Sequence, residues 1–295
     1  MPNSSKLSNR KGNIPLPADL ETDGKALVIE PGRGTRALGV LDAWEHRTLF
    51  QFLVGRDLKG RYRGTALSWL WILVRPVLEM LTYLLVFGYI IGLRTADIPY
   101  PLHIYSGLVA WLFFSGCVIG AAGSLTANRS LMSKVYFPRL IVPMVSVGTG
   151  IVDLLVAGIL VVILAALYQV NPGWNIVALP AFLLLLVLFT LGIGLLLAAE
   201  SVDRPDLLLA APVALRVWMY LSPIAYPVSL VPERYRELYL LNPFAVIIEG
   251  LRSSFAGLPY PSRESLLYVS MLTVLLFLLG LWRFRRTEQR MIDYL

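Results

Sequence analysis

Two opposite charges in an apolar stretch, Arg75 and Glu79, are the first residues of this sequence whose chemistry stands out. A charge near the middle of a bilayer costs about 3 kcal/mol on insertion scales, so such residues face a protein interior or a water-filled path. Because the two residues are four positions apart, they share one face of a helix and could neutralise each other. The pattern is equally consistent with a structural ion pair and with a role in transport.

Residues that build catalytic and metal sites are scarce. The one cysteine, Cys117, lies in an apolar segment, and neither His46 nor His103 has a cysteine or carboxylate at ligand spacing, so we expect no disulfide and no metal. The nearest approach to a phosphate-binding G-x-x-x-x-G-K-[ST] motif, Gly24-Lys25-Ala26, lacks the upstream glycine and the hydroxyl. We therefore predict no catalytic residue and no cofactor, and transport would need a gradient or a separate motor.

A short basic and aromatic stretch, residues 128–139, separates two long apolar runs. Each run exceeds the about 20 residues that a helix needs to cross a hydrocarbon core of roughly 30 Å. The stretch is therefore a loop at a membrane surface, and its three cations favour the cytoplasmic side. We call residues 128–139 the basic segment and predict that it contacts a cytosolic partner.

The elements that must position these residues follow from composition. The chain is 57% hydrophobic and 15% charged, whereas soluble domains are about 45–50% apolar and about 25% charged. This composition predicts an all-α polytopic membrane protein with six transmembrane helices. The six apolar segments are approximately 65–93, 102–125, 140–168, 174–199, 207–226 and 264–283.

The distribution of positive charge predicts the orientation. If the amino terminus is cytoplasmic and the six segments alternate, 19 Lys and Arg residues lie inside and five outside. Cytoplasmic loops carry such an excess, so both termini are expected in the cytoplasm. The net charge of +7 is then a consequence of topology, and nucleic-acid binding is disfavoured.

The rest of the chain divides by composition. We predict a disordered cytoplasmic tail over 1–40, an amphipathic interface helix over 41–63, a transmembrane domain over 64–286 and a cytoplasmic terminus over 287–295. Within the transmembrane domain, 228–257 is predicted to form two short helices that dip into the outer side of the membrane and return, shielded from lipid by protein.

The interface helix has a defined set of contacts in this prediction. Trp44, Phe50 and Phe52 can sit at headgroup depth, and Arg56 can meet anionic lipid phosphate. Membrane lipids are therefore expected partners of this helix.

Five blocks of sequence resemble the membrane subunit of polysaccharide-exporting ABC transporters, in the type-2 permease branch that exports O-antigen, teichoic acid and capsular polysaccharide. In chain order the blocks are RDLKGRYR at 56–63, SGLVAWLFF at 106–114, KVYFPR at 134–139, YLSPIAYP at 220–227 and LNPFAVIIEGLR at 241–252. They are collinear and together span most of the chain from residue 41 onward.

The resemblance implies a homodimer in the bacterial inner membrane, with two separate cytosolic ATPase subunits that bind ATP and Mg. It also implies roles for individual residues. ATPase coupling falls to Leu131, Lys134, Tyr136, Phe137, Pro138 and Arg139, beside the interface helix with Trp44, Phe50, Phe52 and Arg56. A sugar-chain path is lined by Tyr83, Tyr89, Trp218 and Tyr220, with Arg75 and Glu79. The outer gate contains Tyr226, Pro227, Tyr235, Asn242, Pro243, Glu249 and Arg252.

The resulting hypothesis is a permease subunit that moves a lipid-linked polysaccharide out of the cytosol, with ATP hydrolysed by its partner. A type-2 permease for drugs or small lipids would share the fold. A gradient-driven secondary transporter would need intramembrane titratable residues, of which Arg75, Glu79 and Asp153 are a small supply. A membrane glycosyltransferase is least favoured, because the sequence lacks a carboxylate cluster for a metal and sugar donor.

Overall fold

The computed structural model describes residues 46–62, 70–95, 97–132 and 137–291. Within these ranges every regular element is helical and none is a strand. The prediction of an all-α polytopic membrane protein is therefore confirmed. The predicted tail, 1–40, lies outside the described residues.

Ten α-helices occur in the described part of the chain, and they follow the apolar and amphipathic segments of the sequence. They are α1 Arg47–Tyr62, α2 Leu70–Tyr83, α3 Tyr100–Ala127, α4 Arg129–Met132, α5 Ile141–Leu167, α6 Leu179–Asp203, α7 Leu207–Tyr220, α8 Glu233–Leu240, α9 Pro243–Ala256 and α10 Arg263–Met291. A π-helical stretch, Leu84–Ile90, continues α2, and 3-10 turns at Gly173–Ala178 and Val228–Leu230 precede α6 and α8.

Five helical segments are long and apolar enough to cross a membrane. They are Leu70–Ile90, Tyr100–Ala127, Ile141–Leu167, Gly173–Asp203 and Arg263–Glu288, with 21 to 31 residues each. They account for five of the six predicted spans. α10 continues to Met291 and so enters the predicted terminus, 287–295.

The remaining apolar segment, predicted as 207–226, forms a shorter helix than expected. α7 has 14 residues and ends at Tyr220, which gives a length of about 21 Å against roughly 30 Å of hydrocarbon. The chain then turns through 221–226, because Pro223 has no N–H to continue the helix.

α3 is the central helix of the bundle and packs against α2, α5, α6 and α7. Its core is an aromatic cluster with neighbouring ring centroids 4.8–6.4 Å apart, which contributes more than area burial alone. The cluster joins α3, α6, α7 and α9 through Trp111, Phe114, Phe189, Trp218 and Phe244.

Close approach of α6 and α10 depends on two glycines. A Cβ at Gly192 would lie 2.8 Å from the Phe277 amide nitrogen, and one at Gly280 would lie 2.7 Å from the Gly192 carbonyl oxygen. Small residues let helix backbones pack closely in membranes. α10 therefore packs closely against α6.

The two ends of the bundle carry different features. The basic end, where residues 128–139 lie between α3 and α5, also holds α1, whose buried Leu53 packs on Ile141 and Val145 of α5. The opposite end holds α8 and α9, the two short helices predicted within 228–257.

Candidate transport groove and contact surface

The basic segment is fixed at its first residue by α1. Asn128 Oδ1 accepts a hydrogen bond from Arg56 Nη2 (2.9 Å), and Asn128 Nδ2 donates to the Ser124 carbonyl (3.0 Å). Arg56 also pairs with Asp57 (Nη2–Oδ1, 2.8 Å). α1 and the start of the basic segment therefore form one continuous surface.

α1 presents its predicted aromatic residues in two directions. Phe50 is half-buried against the Leu53 cluster on α5, whereas Phe52 is 67% exposed on the outer side of the helix. Trp44 lies outside the described residues. Lipid contact by Phe52 stays a prediction that fits its exposure.

Within the basic segment, α4 places Leu131 half-buried against the neighbouring apolar side chains, while Arg129 is exposed. Lys134 and Tyr136 lie in 133–136, outside the described residues. Their predicted contact with an ATPase subunit stays a prediction.

Phe137 lies inside the bundle instead of on a contact surface. Its side chain is 6% exposed and packs into an apolar cluster between α3, α5, α6 and α10 that includes Leu125, Leu140, Leu281 and Phe284. Burying a phenylalanine side chain contributes about 1.5–3 kcal/mol, which explains why the ring turns inward. Phe137 therefore anchors the basic segment, the half-buried Pro138 and Arg139 follow it, and the predicted role of these residues in ATPase coupling stays a prediction.

Glu288, which the sequence analysis did not single out, holds the far end of the basic segment, and a neighbouring ion pair joins α10 to α6. The Arg139 backbone N–H donates to Glu288 Oε1 of α10 at 3.0 Å. Arg283 of α10 in turn pairs with Glu200 of α6. The sequence did contain a signal for these contacts. Glu200 and Glu288 lie among the arginines of the basic end, and an acidic residue in such a place indicates an ion pair or a hydrogen bond.

A groove of about 630 Å³ runs between α2, α3 and α7. Four of the six side chains predicted to line a sugar-chain path border this groove, namely Arg75, Glu79, Tyr83 and Tyr220. Arg216 borders it as well. The Tyr83 ring stacks on Phe87 with centroids 5.7 Å apart. The groove is open on one side, with Arg75 and Tyr220 exposed, and it combines aromatic faces with charged groups.

The charges at Arg75 and Glu79 are paired, as their spacing allows, with Arg75 Nε 3.2 Å from Glu79 Oε1. Arg75 also borders a second cavity of about 430 Å³ between α2, α3 and α5, which Asp153 lines as well. The pair thus neutralises charge on the open side of α2, where the Arg75 side chain is 70% exposed, and supplies the polar edge of the groove.

Two predicted path residues lie elsewhere. Trp218 belongs to the aromatic core cluster, and its Nε1–H donates to Asn242 Oδ1 at 2.9 Å. Tyr89 is 85% exposed on the π-helical continuation of α2 and does not border the groove. Neither side chain borders this groove, and a place for them on a sugar-chain path stays a prediction.

Asn242 is the junction between α7 and α9 at the opposite end of the bundle. Besides the Trp218 bond, its Oδ1 accepts from the Phe244 N–H (3.1 Å), the cap of α9, with Pro243 in the first turn. Its Nδ2 donates to the Leu221 carbonyl (3.0 Å) and to Ser222 Oγ (3.1 Å).

Arg252 of α9 is 1% exposed and connects α9 to α3. Its Nη1 donates to Glu249 Oε1 and its Nη2 to the His103 carbonyl, both at 2.8 Å. A Cβ at Gly107 would lie 2.8 Å from Arg252 Nη2, so the guanidinium occupies space that only glycine leaves free. Burial lowers the pKa of the Arg252 guanidinium, and the Glu249 carboxylate opposes that shift.

α8 is attached through a tyrosine pair. The Tyr239 hydroxyl donates to the Tyr226 hydroxyl (3.3 Å), which donates to the Tyr220 carbonyl (3.0 Å). Partial burial is the main cause that raises the pKa of the Tyr239 phenol. Tyr235 is exposed, with the Arg234 guanidinium carbon 4.4 Å from its ring centroid.

The predicted outer gate therefore divides into two unlike parts. α9, with residues 244–248 and Arg252 buried, is a fixed part of the bundle. α8 has no buried residue and follows the half-buried Pro227 and a 3-10 turn. Any movement of a gate is thus easier for α8 than for α9.

Known proteins match most of these elements. The family model described as ABC-2 type transporter matches residues 48–256, from α1 to the end of α9. The O-antigen export system permease protein RfbA of Myxococcus xanthus is 32% identical over 240 residues, which cover 80% of this chain and 91% of the relative.

Two further relatives match over a similar length. RfbA of Klebsiella pneumoniae, also an O-antigen export system permease protein, is 25% identical over 252 residues, 84% of this chain and 96% of the relative. The polysialic acid transport protein KpsM of Escherichia coli is 24% identical over 240 residues, 80% and 92% respectively. With a family match over most of its length, this chain belongs to the ABC-2 type transporter family.

Proposed function

We propose that this chain is the permease subunit of an ATP-driven exporter that moves a lipid-linked polysaccharide, O-antigen-like or teichoic-acid-like, across a bacterial inner membrane. The observation that carries the proposal is the groove between α2, α3 and α7, where Tyr83 and Tyr220 face the charged pair Arg75 and Glu79. The similarity to permeases named for O-antigen export supports a sugar polymer as the cargo.

The groove suits a moving glycan for physical reasons. Aromatic faces make weak contacts with the C–H surfaces of sugars, and charged groups exchange hydrogen bonds with their hydroxyls. Weak and repeated contacts let a chain advance, whereas one tight site would hold it. A drug or small lipid, the alternative cargo, would not need polar groups along the length of a groove.

A second copy of the chain would complete the path. α2 with its π-helical continuation and α7 border the groove, and they also expose the large apolar side chains Leu78, Leu85, Val213 and Val217. A homodimer that apposes these helices would enclose two grooves in one passage.

The partner ATPases would act at the basic end, which we place in the cytoplasm. ATP and Mg bound by those subunits would favour one arrangement of the dimer through different contacts with the basic segment and α1 in its two states. Arg129 is exposed on this surface. This chain supplies the contact surface and the path, and its partner supplies the hydrolysis.

Co-purification with the ATPase subunit from the same gene neighbourhood tests the proposal. We expect a stable complex that hydrolyses ATP and exports glycan in proteoliposomes. A correctly inserted permease that binds no cognate ATPase would contradict it. Transport without ATP would favour a gradient-driven transporter.

The aromatic lining makes a separate prediction. We expect the double substitution Tyr83→Ala and Tyr220→Ala to slow export on the order of tenfold, because aromatic contacts contribute about 0.5–1.5 kcal/mol each. Replacing both by phenylalanine should preserve most activity. Tyr89→Ala, outside the groove, is the matched control, and an equal loss in that variant would contradict the assignment.

A further inference from the structure

The basic segment is held at both ends, by different helices. At its start, Asn128 is bonded to Arg56 of α1 at 2.9 Å. At its far end, the Arg139 N–H donates to Glu288 of α10 at 3.0 Å, immediately after Phe137 enters the apolar cluster. Whatever displaces the middle of the segment therefore acts on α10 as well as on α1.

The end of α10 is well placed to receive such a displacement. Phe284 and Thr287 are buried, so this part of the helix is packed into the bundle instead of projecting from it. Arg283 pairs with Glu200, which ties α10 to α6 one and a half turns before Glu288. α6 and α10 are also in close backbone contact at Gly192 and Gly280.

We propose that Glu288 is a positioning residue that fixes the far end of the basic segment to α10, so that movement imposed by the ATPase is passed to α10 and α6. The inference deepens the proposed function and rests on it for the identity of the partner. The bond uses the main chain of Arg139, so it sets the path of the backbone whatever the Arg139 side chain contacts.

The acceptor chemistry supplies a conservative variant. Glu288→Gln keeps an oxygen that accepts from the Arg139 N–H, whereas Glu288→Ala removes it. Glu264→Ala, at an exposed position in the first turn of the same helix, is the matched control.

The first measurement is amide hydrogen exchange in the full-length permease alone, in nanodiscs, on a peptide that covers residues 137–142. We expect Glu288→Ala to speed exchange of the Arg139 amide on the order of tenfold, the effect of losing one hydrogen bond to a charged acceptor. Glu264→Ala should stay near the unsubstituted protein, and Glu288→Gln should keep part of the protection, because a neutral amide oxygen accepts a weaker hydrogen bond than a carboxylate. Unchanged exchange in Glu288→Ala would overturn the positioning role.

The second measurement is glycan exported per ATP hydrolysed by the reconstituted complex. We expect this ratio to fall on the order of tenfold in Glu288→Ala and to recover in Glu288→Gln. The reason is that the bond to Arg139 biases the equilibrium between the two states of the transporter, and losing the bond reduces that bias by its free energy. Faster exchange with an unchanged ratio would overturn the inference. If the unsubstituted complex exports no glycan, the proposed function fails, while the exchange result still decides the positioning role.

Discussion

Arg252→Met is expected to destabilise the protein by about 3 kcal/mol, at the lower end of what breaking a buried ion pair costs. Methionine keeps much of the side-chain volume, so the loss comes from the bonds to Glu249 and to the His103 carbonyl and not from a cavity. The cost stays at the lower end because Glu249 is partly exposed and its charge keeps some solvation. The midpoint of thermal unfolding in detergent, read by loss of monodisperse protein, checks the prediction.

Arg234→Met is the matched control for that experiment. Arg234 is exposed on α8 and has the Tyr235 ring as its described contact, so we expect a change within about 0.5 kcal/mol. Arg252→Lys should recover little, since one ammonium group cannot span both acceptors as the guanidinium fork does. Equal melting of the Arg252 and Arg234 variants would show that α9 is not held by this network.

Phe137→Ala is expected to destabilise the bundle by about 3–5 kcal/mol, the range for truncating a buried phenylalanine. The cavity would open among Leu125, Leu140, Leu281 and Phe284, and the basic segment would lose its apolar anchor. Binding of the ATPase subunit should weaken as a consequence. Thermal unfolding of the permease alone, followed by co-purification with the ATPase, separates the two effects.

Phe52→Ala is the comparison for Phe137→Ala, because it removes the same side chain from an exposed position of α1. We expect little change in unfolding there. Phe137→Leu should recover part of the stability by refilling the cluster. A Phe137→Ala protein that melts normally yet fails to bind the ATPase would instead restore direct contact as the role of this ring.

The helical bundle was predictable because long apolar runs allow little besides membrane-spanning helices. The end of α7 at Tyr220 also had a visible cause in Pro223. The lining of the groove could not be predicted in this way. Trp218 and Tyr220 are both aromatic and two positions apart, which places them on opposite sides of a helix, and only the packed structure assigns Trp218 to the core and Tyr220 to the groove.

Long-range partners were equally out of reach of the sequence. Arg252 was selected as a gate residue, yet its acceptor on His103 lies 149 positions away and is a backbone carbonyl that no side-chain pattern reveals. Glu288 accepts a hydrogen bond from the backbone N–H of Arg139, which is also 149 positions away in the sequence. Such contacts arise when tertiary packing brings main chain to side chain.

The fit between Gly107 and Arg252 has a consequence for how this protein can diverge. A methyl group at position 107 would collide with the guanidinium, and loss of the guanidinium alone removes its two hydrogen bonds. Either change made singly therefore passes through a destabilised intermediate. Among homologues, a larger residue at the position of Gly107 should therefore accompany a smaller one at the position of Arg252, and this paired change would mark lineages in which α9 is attached to α3 in another way.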